Sequence, residues 1–292
     1  MSEVRVEFTD DAGEFLHRAG GLLAAEPVRY TVIASVATQT LERSVASDLP
    51  YRPWFATAVV GGVPTGVAMR NAPAPYPAWI GRFPPAAVSV LVDRLVADRT
   101  LTCVTGEPPS VVEFGAELAR RRGESSAVTG RTRLHEFLEP KPPLAPPGWL
   151  RVAGPADADL CIEWYGTFRR DAAAQGGGPT NQLAGPTPDE IRRAIARGAI
   201  HLWECGGVPV SLVGHRAPTF GVAAVAPVYT PERLRGRGFA RAAVYELSVR
   251  LRRESRVCLY TDRANPVSTA VYDVIGYRPV GDNVTVGITR PA

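Results

Sequence analysis

The sequence holds a single lysine, Lys141, among 33 basic residues, so arginine carries nearly all of its positive charge. That bias carries no functional reading of its own. No run approaches 18 consecutive apolar residues, which excludes a transmembrane helix. After Met1-Ser2-Glu3-Val4 there is no basic patch followed by an apolar stretch, so a signal peptide is not expected. Cysteine is scarce: Cys103, Cys161, Cys205 and Cys258 are far apart and form no Cys-x-x-Cys pair. That spacing argues against a zinc site or a disulfide framework, and fits buried, reduced thiols in a cytoplasmic protein. What remains is ordinary globular material, 45% hydrophobic and 21% charged, and 292 residues are enough for two domains.

Charge is uneven along the chain. Residues from Trp149 onward carry a net +5, and those before it a net −1. An anionic ligand would be drawn to the second half. The halves meet at Pro140-Lys141-Pro142-Pro143-Leu144-Ala145-Pro146-Pro147-Gly148. Five prolines in eight residues forbid helix and central strand and keep the chain extended. This predicts domains at 1–139 and 149–292 with a semi-rigid connector at 140–148.

Both halves follow one plan. Each opens with helical material, 11–46 in the first and 157–173 plus 188–197 in the second, where Asp189 and Glu190 favour a helix start. Each continues as a hairpin about a Gly-Gly turn: Trp54–Val60 with Val63–Met69, and Ile200–Cys205 with Val208–Gly214. A short cysteine-bearing strand then precedes a helix, Leu101–Thr105 in one half and Val257–Thr261 in the other. The pattern predicts a diverged internal duplication.

The chemistry concentrates between Gly221 and Tyr277. The strand Val222–Tyr229 contains Pro227, which cannot donate to a ladder. It marks either a strand edge or bulge, or a place where two strands part and leave backbone groups for a ligand. Arg233-Leu234-Arg235-Gly236-Arg237-Gly238 then leads into an amphipathic helix from Phe239 to about Arg253. Glycines that gather amides, a helix N-terminus and two arginines, Arg235 and Arg237, read either as a pyrophosphate cradle or as a glycine-rich turn with solvated arginines. Downstream, Asn265, Tyr272, Gly276 and Tyr277 stand in an Asn-x6-Tyr-x3-Gly-aromatic spacing.

The two motifs, in this order with a strand between them, resemble the acyl-CoA-binding core of the GCN5-related N-acetyltransferase (GNAT) superfamily. The resemblance covers about 149–292 and is strongest over 221–281. It implies an α/β (α+β) fold: two acetyltransferase-like domains in tandem, each a mixed, mostly antiparallel sheet flanked by helices. It further implies that acetyl-CoA is the co-substrate. The backbone of Val228, Tyr229 and Thr230 would run beside its pantetheine arm. Amides of Gly236, Arg237, Gly238, Phe239, Ala240 and Arg241 would hold the pyrophosphate, with Asn265 across the cleft. Tyr272 would protonate the departing thiolate, a task suited to a phenol that stays protonated at neutral pH. Read alone, Tyr272 is equally a helix-face core residue.

No acid lies between Gly221 and Thr230 to serve as general base. Candidates elsewhere are Glu204, His201, His215 and Asp262, or a water chain to solvent. Trp164, Phe168 and Trp203 are expected either to line an acceptor pocket or to be core. In the first half, Gly81-Arg82-Phe83-Pro84-Pro85 stands where the cradle should be, and prolines offer phosphate no N–H. Residues 1–139 are therefore expected to be a degenerate copy without cofactor binding. The leading functional reading is transfer of acetyl from acetyl-CoA to a primary amine on a small molecule, with no membrane partner. One alternative draws the acyl group from aminoacyl-tRNA, the sole reading that involves nucleic acid. The other is a non-enzymatic regulator that binds acyl-CoA.

Overall fold

The structure is a computed structural model that describes residues 3–44, 51–176 and 185–290, without the side chains of residues 44, 173–176 and 266–269. These residues divide into two compact units. The first comprises residues up to Thr132 together with the stretch from Gly281 onward. The second runs from Arg133 to Val280.

The first unit begins with β1 (Val4–Thr9), α1 (Ala12–Ala25), α2 (Thr31–Ser44), β2 (Trp54–Val60), β3 (Val63–Arg70) and β4 (Ala78–Ile80). It continues through α3 (Pro85–Leu95), β5 (Cys103–Gly106), α4 (Ser110–Arg122) and the start of β6 (Ser125–Phe137). The second repeats that order: β7 (Trp149–Val152), α5 (Ala158–Gly176), α6 (Pro188–Ala196), β8 (Ile200–Cys205), β9 (Val208–His215) and β10 (Val222–Tyr229). Then follow α7 (Phe239–Leu251), β11 (Arg256–Asp262), α8 (Pro266–Ile275) and β12 (Tyr277–Thr289). The expected duplication is thus present element for element. Both Gly-Gly hairpins turn on paired positive φ angles, 58° and 85° at Gly61 and Gly62, and 58° and 78° at Gly206 and Gly207. Only glycine takes two such angles without strain.

Each unit pairs its strands antiparallel except at one place, β4 with β5 and β10 with β11. In the second unit, successive residues of one strand serve opposite faces. Leu202 and Leu212 pack with α5 and α6 in a cluster around Trp164, Ile191 and Ile195. Their neighbours Trp203 and Val213 pack with α7 around Phe239, Val244 and Leu247. The helix α6 starts on a capping box in which Thr187 accepts the Glu190 N–H and Glu190 accepts that of Thr187.

The division differs from the one read off the proline run, because each unit is finished by a strand segment from the other half of the sequence. The first unit takes residues from 281 on: Val284, Thr285 and Val286 pair with Gly106, Thr105 and Val104 of β5. Val284, Val286 and Ile288 are buried there with Val104, Phe114 and Leu118. The second unit takes the end of β6. Phe137 is 2% exposed, its ring 5.0 Å from that of Tyr277. Glu136 receives two hydrogen bonds from Arg256, at 2.7 and 2.8 Å. The proline segment is held on the second unit as well: the Trp203 indole N–H donates to the Pro147 carbonyl (3.1 Å), and the Lys141 N–H to that of Ile275 (3.1 Å).

Residues 149–292 expressed alone should therefore lack a stable fold. Losing Phe137 by itself removes on the order of 3–5 kcal/mol of packing. The expected result is a broad, non-cooperative thermal transition by circular dichroism, against a sharp one for the full chain. A sharp transition in the fragment would show that β6 is dispensable.

Candidate active site

Pairing between β10 and β11 runs Val222 with Arg256, Ala223 with Val257 and Ala224 with Cys258, and goes no further. On its other edge β10 pairs Val225 with His215 and then Val228 with Val213, so Ala226 and Pro227 together face Gly214 alone. This is a bulge placed where proline withholds its N–H. At Pro227 the strand therefore bulges, and just before it β10 leaves β11. Gly214 has to be glycine, since a Cβ would lie 2.9 Å from the Ala226 carbonyl oxygen and 3.2 Å from Pro227 Cδ.

Beyond the parting, the Ser211 hydroxyl donates to the Tyr229 carbonyl (3.0 Å) and lies 2.8 Å from Thr230 Oγ1, which fixes the end of β10. Tyr229 is buried beside Trp164 and Val228 is half-buried. A turn at Glu232–Leu234 carries the chain to Gly236 (φ 77°) and Gly238 (φ 83°), the latter capping α7. A side chain at Gly236 would meet nothing within 4 Å, so the loop is open in front. Among the described residues, no N–H from Gly236 to Arg241 donates to a carbonyl outside the helix. These are the orphan donors of a helix start, with the positive end of its dipole. Phe239 anchors the turn in the core and Ala240 is half-buried.

The arginines divide the work. Arg235 turns away from the loop, donating to the Thr230 carbonyl (3.0 Å) and pairing with Asp171 of α5. Its guanidinium is thus engaged in holding the loop to α5 and does not lie free before the amides. Arg237 is exposed. Arg241 folds toward Gly238, and its Nε is buried without a hydrogen-bond partner. Sequence reasoning gave Arg241 only an amide; the orphaned guanidinium nitrogen is visible in the structure alone.

The second motif has a packing logic. A Cβ at Gly276 (φ 106°) would fall 1.9 Å from the Glu139 carbonyl oxygen, so only glycine lets α8 end against that segment. Tyr277 is fully buried, its hydroxyl 2.6 Å from that of Ser248 on α7. The Tyr272 ring packs edge-on to Tyr277 at 5.9 Å, in the cluster that holds Val225 and Phe239. Burial pushes the Tyr272 phenol up to about 12, and its hydroxyl has no hydrogen-bond partner among the described residues. Asn265 stands just before α8, its N–H donating to the Asp262 carbonyl at 3.0 Å.

Two candidate bases, Glu204 and His201, are placed away from the parting, whereas His215 pairs its backbone with Val225 beside it and turns its ring to His201. Glu204 pairs with Arg151, which also binds Asp157. His201 and His215, with ring centres 5.8 Å apart, line a cavity of about 320 Å³ with Leu247, Arg250 and Leu251. That is the C-terminal end of α7, roughly 18 Å along the helix from Gly238. Asp262 is half-buried and accepts the Ala264 N–H at 2.8 Å. Trp203, 1% exposed and bound to Pro147, is core; Trp164 is buried and Phe168 half-buried against the α5 cluster. Residues 177–184, between α5 and α6, lie outside the described residues.

The corresponding place in the first unit is shut. All three residues of β4 pair with β5, and a Cβ on Gly106 would lie 1.8 Å from the Ile80 carbonyl oxygen. The Phe83 N–H donates to Ser110 Oγ (3.0 Å), and Arg82 is paired with Glu26 and Glu107.

Residues 169–277 match the model of the Acetyltransferase (GNAT) family. No curated protein matches the chain. Among solved structures, it is similar over 99% of its length to 96% of a GCN5-related N-acetyltransferase from Sphaerobacter thermophilus, with 16% identity and a TM-score of 0.59. A GNAT-family acetyltransferase from Colwellia psychrerythraea is 11% identical with a TM-score of 0.55, covering 98% of this chain and 100% of its own. A tandem GNAT protein from the clavulanic acid biosynthesis pathway is 14% identical with a TM-score of 0.53, covering 99% and 100%.

Burial, then His215 and Arg250, lower His201 to about 4, below its ordinary 6.5. Its neutral form is favoured by folding, so this contribution is complete above pH 6.5 and is lost as pH falls toward 4. Acidification over that window should lower Tm by an amount that corresponds to at most about 3 kcal/mol. His201→Phe should flatten the dependence; an unchanged slope would assign it to other groups. Residues 169–277 are thus similar to the Acetyltransferase (GNAT) family, and the whole chain is similar in fold to a tandem GNAT protein.

Proposed function

We propose that this protein is an acyl-CoA-dependent N-acyltransferase, with acetyl-CoA as donor and a primary amine on a small molecule as acceptor. The observation that carries the reading is the parting of β10 from β11 beside an open, glycine-flanked helix start. The buried, unpartnered Nε of Arg241 at the same place suits an anionic group. Amides of Gly236 through Arg241 would receive the pyrophosphate. The backbone of Val228, Tyr229 and Thr230 would run beside the pantetheine arm, and Asn265 would lie opposite. The cofactor supplies an activated acyl thioester.

The protein's own groups then have distinct tasks. Amides of β10 beyond Ala224 meet negative charge that develops on the carbonyl oxygen. Tyr272, a phenol protonated at neutral pH, offers its proton to the departing sulfur. With the rings of His201 and His215 lining the cavity at the other end of α7, Glu204 paired with Arg151 and no acid on β10, the acceptor's proton would pass to Asp262 or to water. The first unit is proposed to be a degenerate copy that binds no cofactor, because its strands stay paired and its loop is filled.

Calorimetric titration tests the donor. Acetyl-CoA should saturate the full chain and lose binding in Gly236→Asp, which sets a carboxylate before the amides. Tyr272→Phe should retain binding while thiol release in the presence of an acceptor falls roughly 10²-fold or more. Failure of the wild type to bind acetyl-CoA would sink the reading and leave aminoacyl-tRNA as the donor to try.

A further inference from the structure

The bulge in β10 is approached from both faces of the sheet. Tyr272 comes with α8 from the face that α7 covers. From the other face, α5 sends Tyr165, whose ring is half-buried among Trp164, Phe168 and Tyr229. Its hydroxyl lies 3.2 Å from the point where a Cβ on Gly214 would stand; the same point is 2.9 Å from the Ala226 carbonyl oxygen and 3.2 Å from Pro227 Cδ. The phenol therefore ends at the bulge itself, and Gly214 is what makes room for it.

The Tyr165 hydroxyl has no hydrogen-bond partner among the described residues, and it is not among the polar atoms sealed from solvent. A half-buried ring with an unpaired hydroxyl is suited to meeting a ligand.

We infer that Tyr165 is an acceptor-side residue of the site: its hydroxyl accepts a hydrogen bond from the attacking amine and holds it against the acyl carbon, opposite Tyr272. The inference rests on the acyl-CoA reading above. Burial raises the Tyr165 phenol further still, so it does not serve as the base. It orients the nucleophile, a contribution made by proximity. The acceptor thus approaches over α5, and reaches the carbonyl from the face opposite the leaving sulfur's acid.

Proximity is measurable without knowing the acceptor. In Tyr165→Cys, bromoacetyl-CoA should alkylate the introduced thiol: its thiolate sulfur bonds to the bromomethyl carbon and bromide leaves. Peptide mass mapping should find position 165 labelled at least tenfold faster than Cys103, Cys161, Cys205 or Cys258, with protection by excess CoA. A variant that binds CoA as the wild type does but is not labelled at position 165 overturns the assignment and leaves the acyl-CoA reading standing. Wild-type protein that binds no CoA refutes the parent reading, and this one with it. If Tyr165→Cys does not fold, 3-fluorotyrosine-labelled wild type replaces it. The fluorine resonance missing from Tyr165→Phe should shift with acetyl-CoA relative to CoA, and identical spectra with the two would refute the placement.

Discussion

Everything in the site depends on a ladder that stops. Three residues of β10 are locked to β11, and the next is not. A strand inside a sheet normally cannot abandon its partner, because each lost pair leaves buried donors and acceptors exposed to the core. Here the cost is contained by a proline with no donor to lose and by a bulge that keeps the opposite edge attached to β9. The gap thus opens on one side only. The first unit shows what the same architecture does without these residues: β4 stays paired through its last residue, at a distance that even a methyl group would violate.

The open edge needs a rigid surround, and the second unit supplies one from unexpected pieces. Phe137, the Glu136–Arg256 pair, the Trp203–Pro147 hydrogen bond and the Gly276–Glu139 approach all draw the 133–148 segment onto the α7–α8 side. The residues that look most like a tether are scaffold. On the other face, the Arg235–Asp171 pair fastens the glycine loop to α5, so the helix that presents Tyr165 and the loop that presents the amides are held by one contact.

Much of this was legible in the sequence. Local signals carried both hairpins, whose Gly-Gly turns and alternation left little choice, and α4 and α7, whose limits follow from glycines and apolar spacing. Pro227 announced the disturbance in β10. Long-range choices were not legible. That β5 takes its partner from residues 284–287 is a matter of pairing between segments about 180 residues apart, and β-strands of similar composition compete for such edges on equal terms. The proline run misled for a related reason: composition shows that it is extended, but not what it lies against. His201 and His215 lie at the far end of α7 because a histidine's chemistry is written in its type and its position is not. Tyr165 had no signal at all, being one aromatic among several on α5, until the space around Gly214 singled it out.

The exchange of closing strands also bears on how the molecule comes into being. A nascent chain leaves the ribosome from its N-terminus, so the strand that finishes the first unit is made last. At about 5–20 residues per second, the roughly 150 residues between Thr132 and Gly281 take on the order of 7–30 s to synthesise. During that interval β5 has an unpaired edge, and the surface of α4 beneath Val286 is uncovered. Such edges invite pairing with other chains. The longer the second unit takes to emerge, the longer that edge of the first unit stays open to other chains.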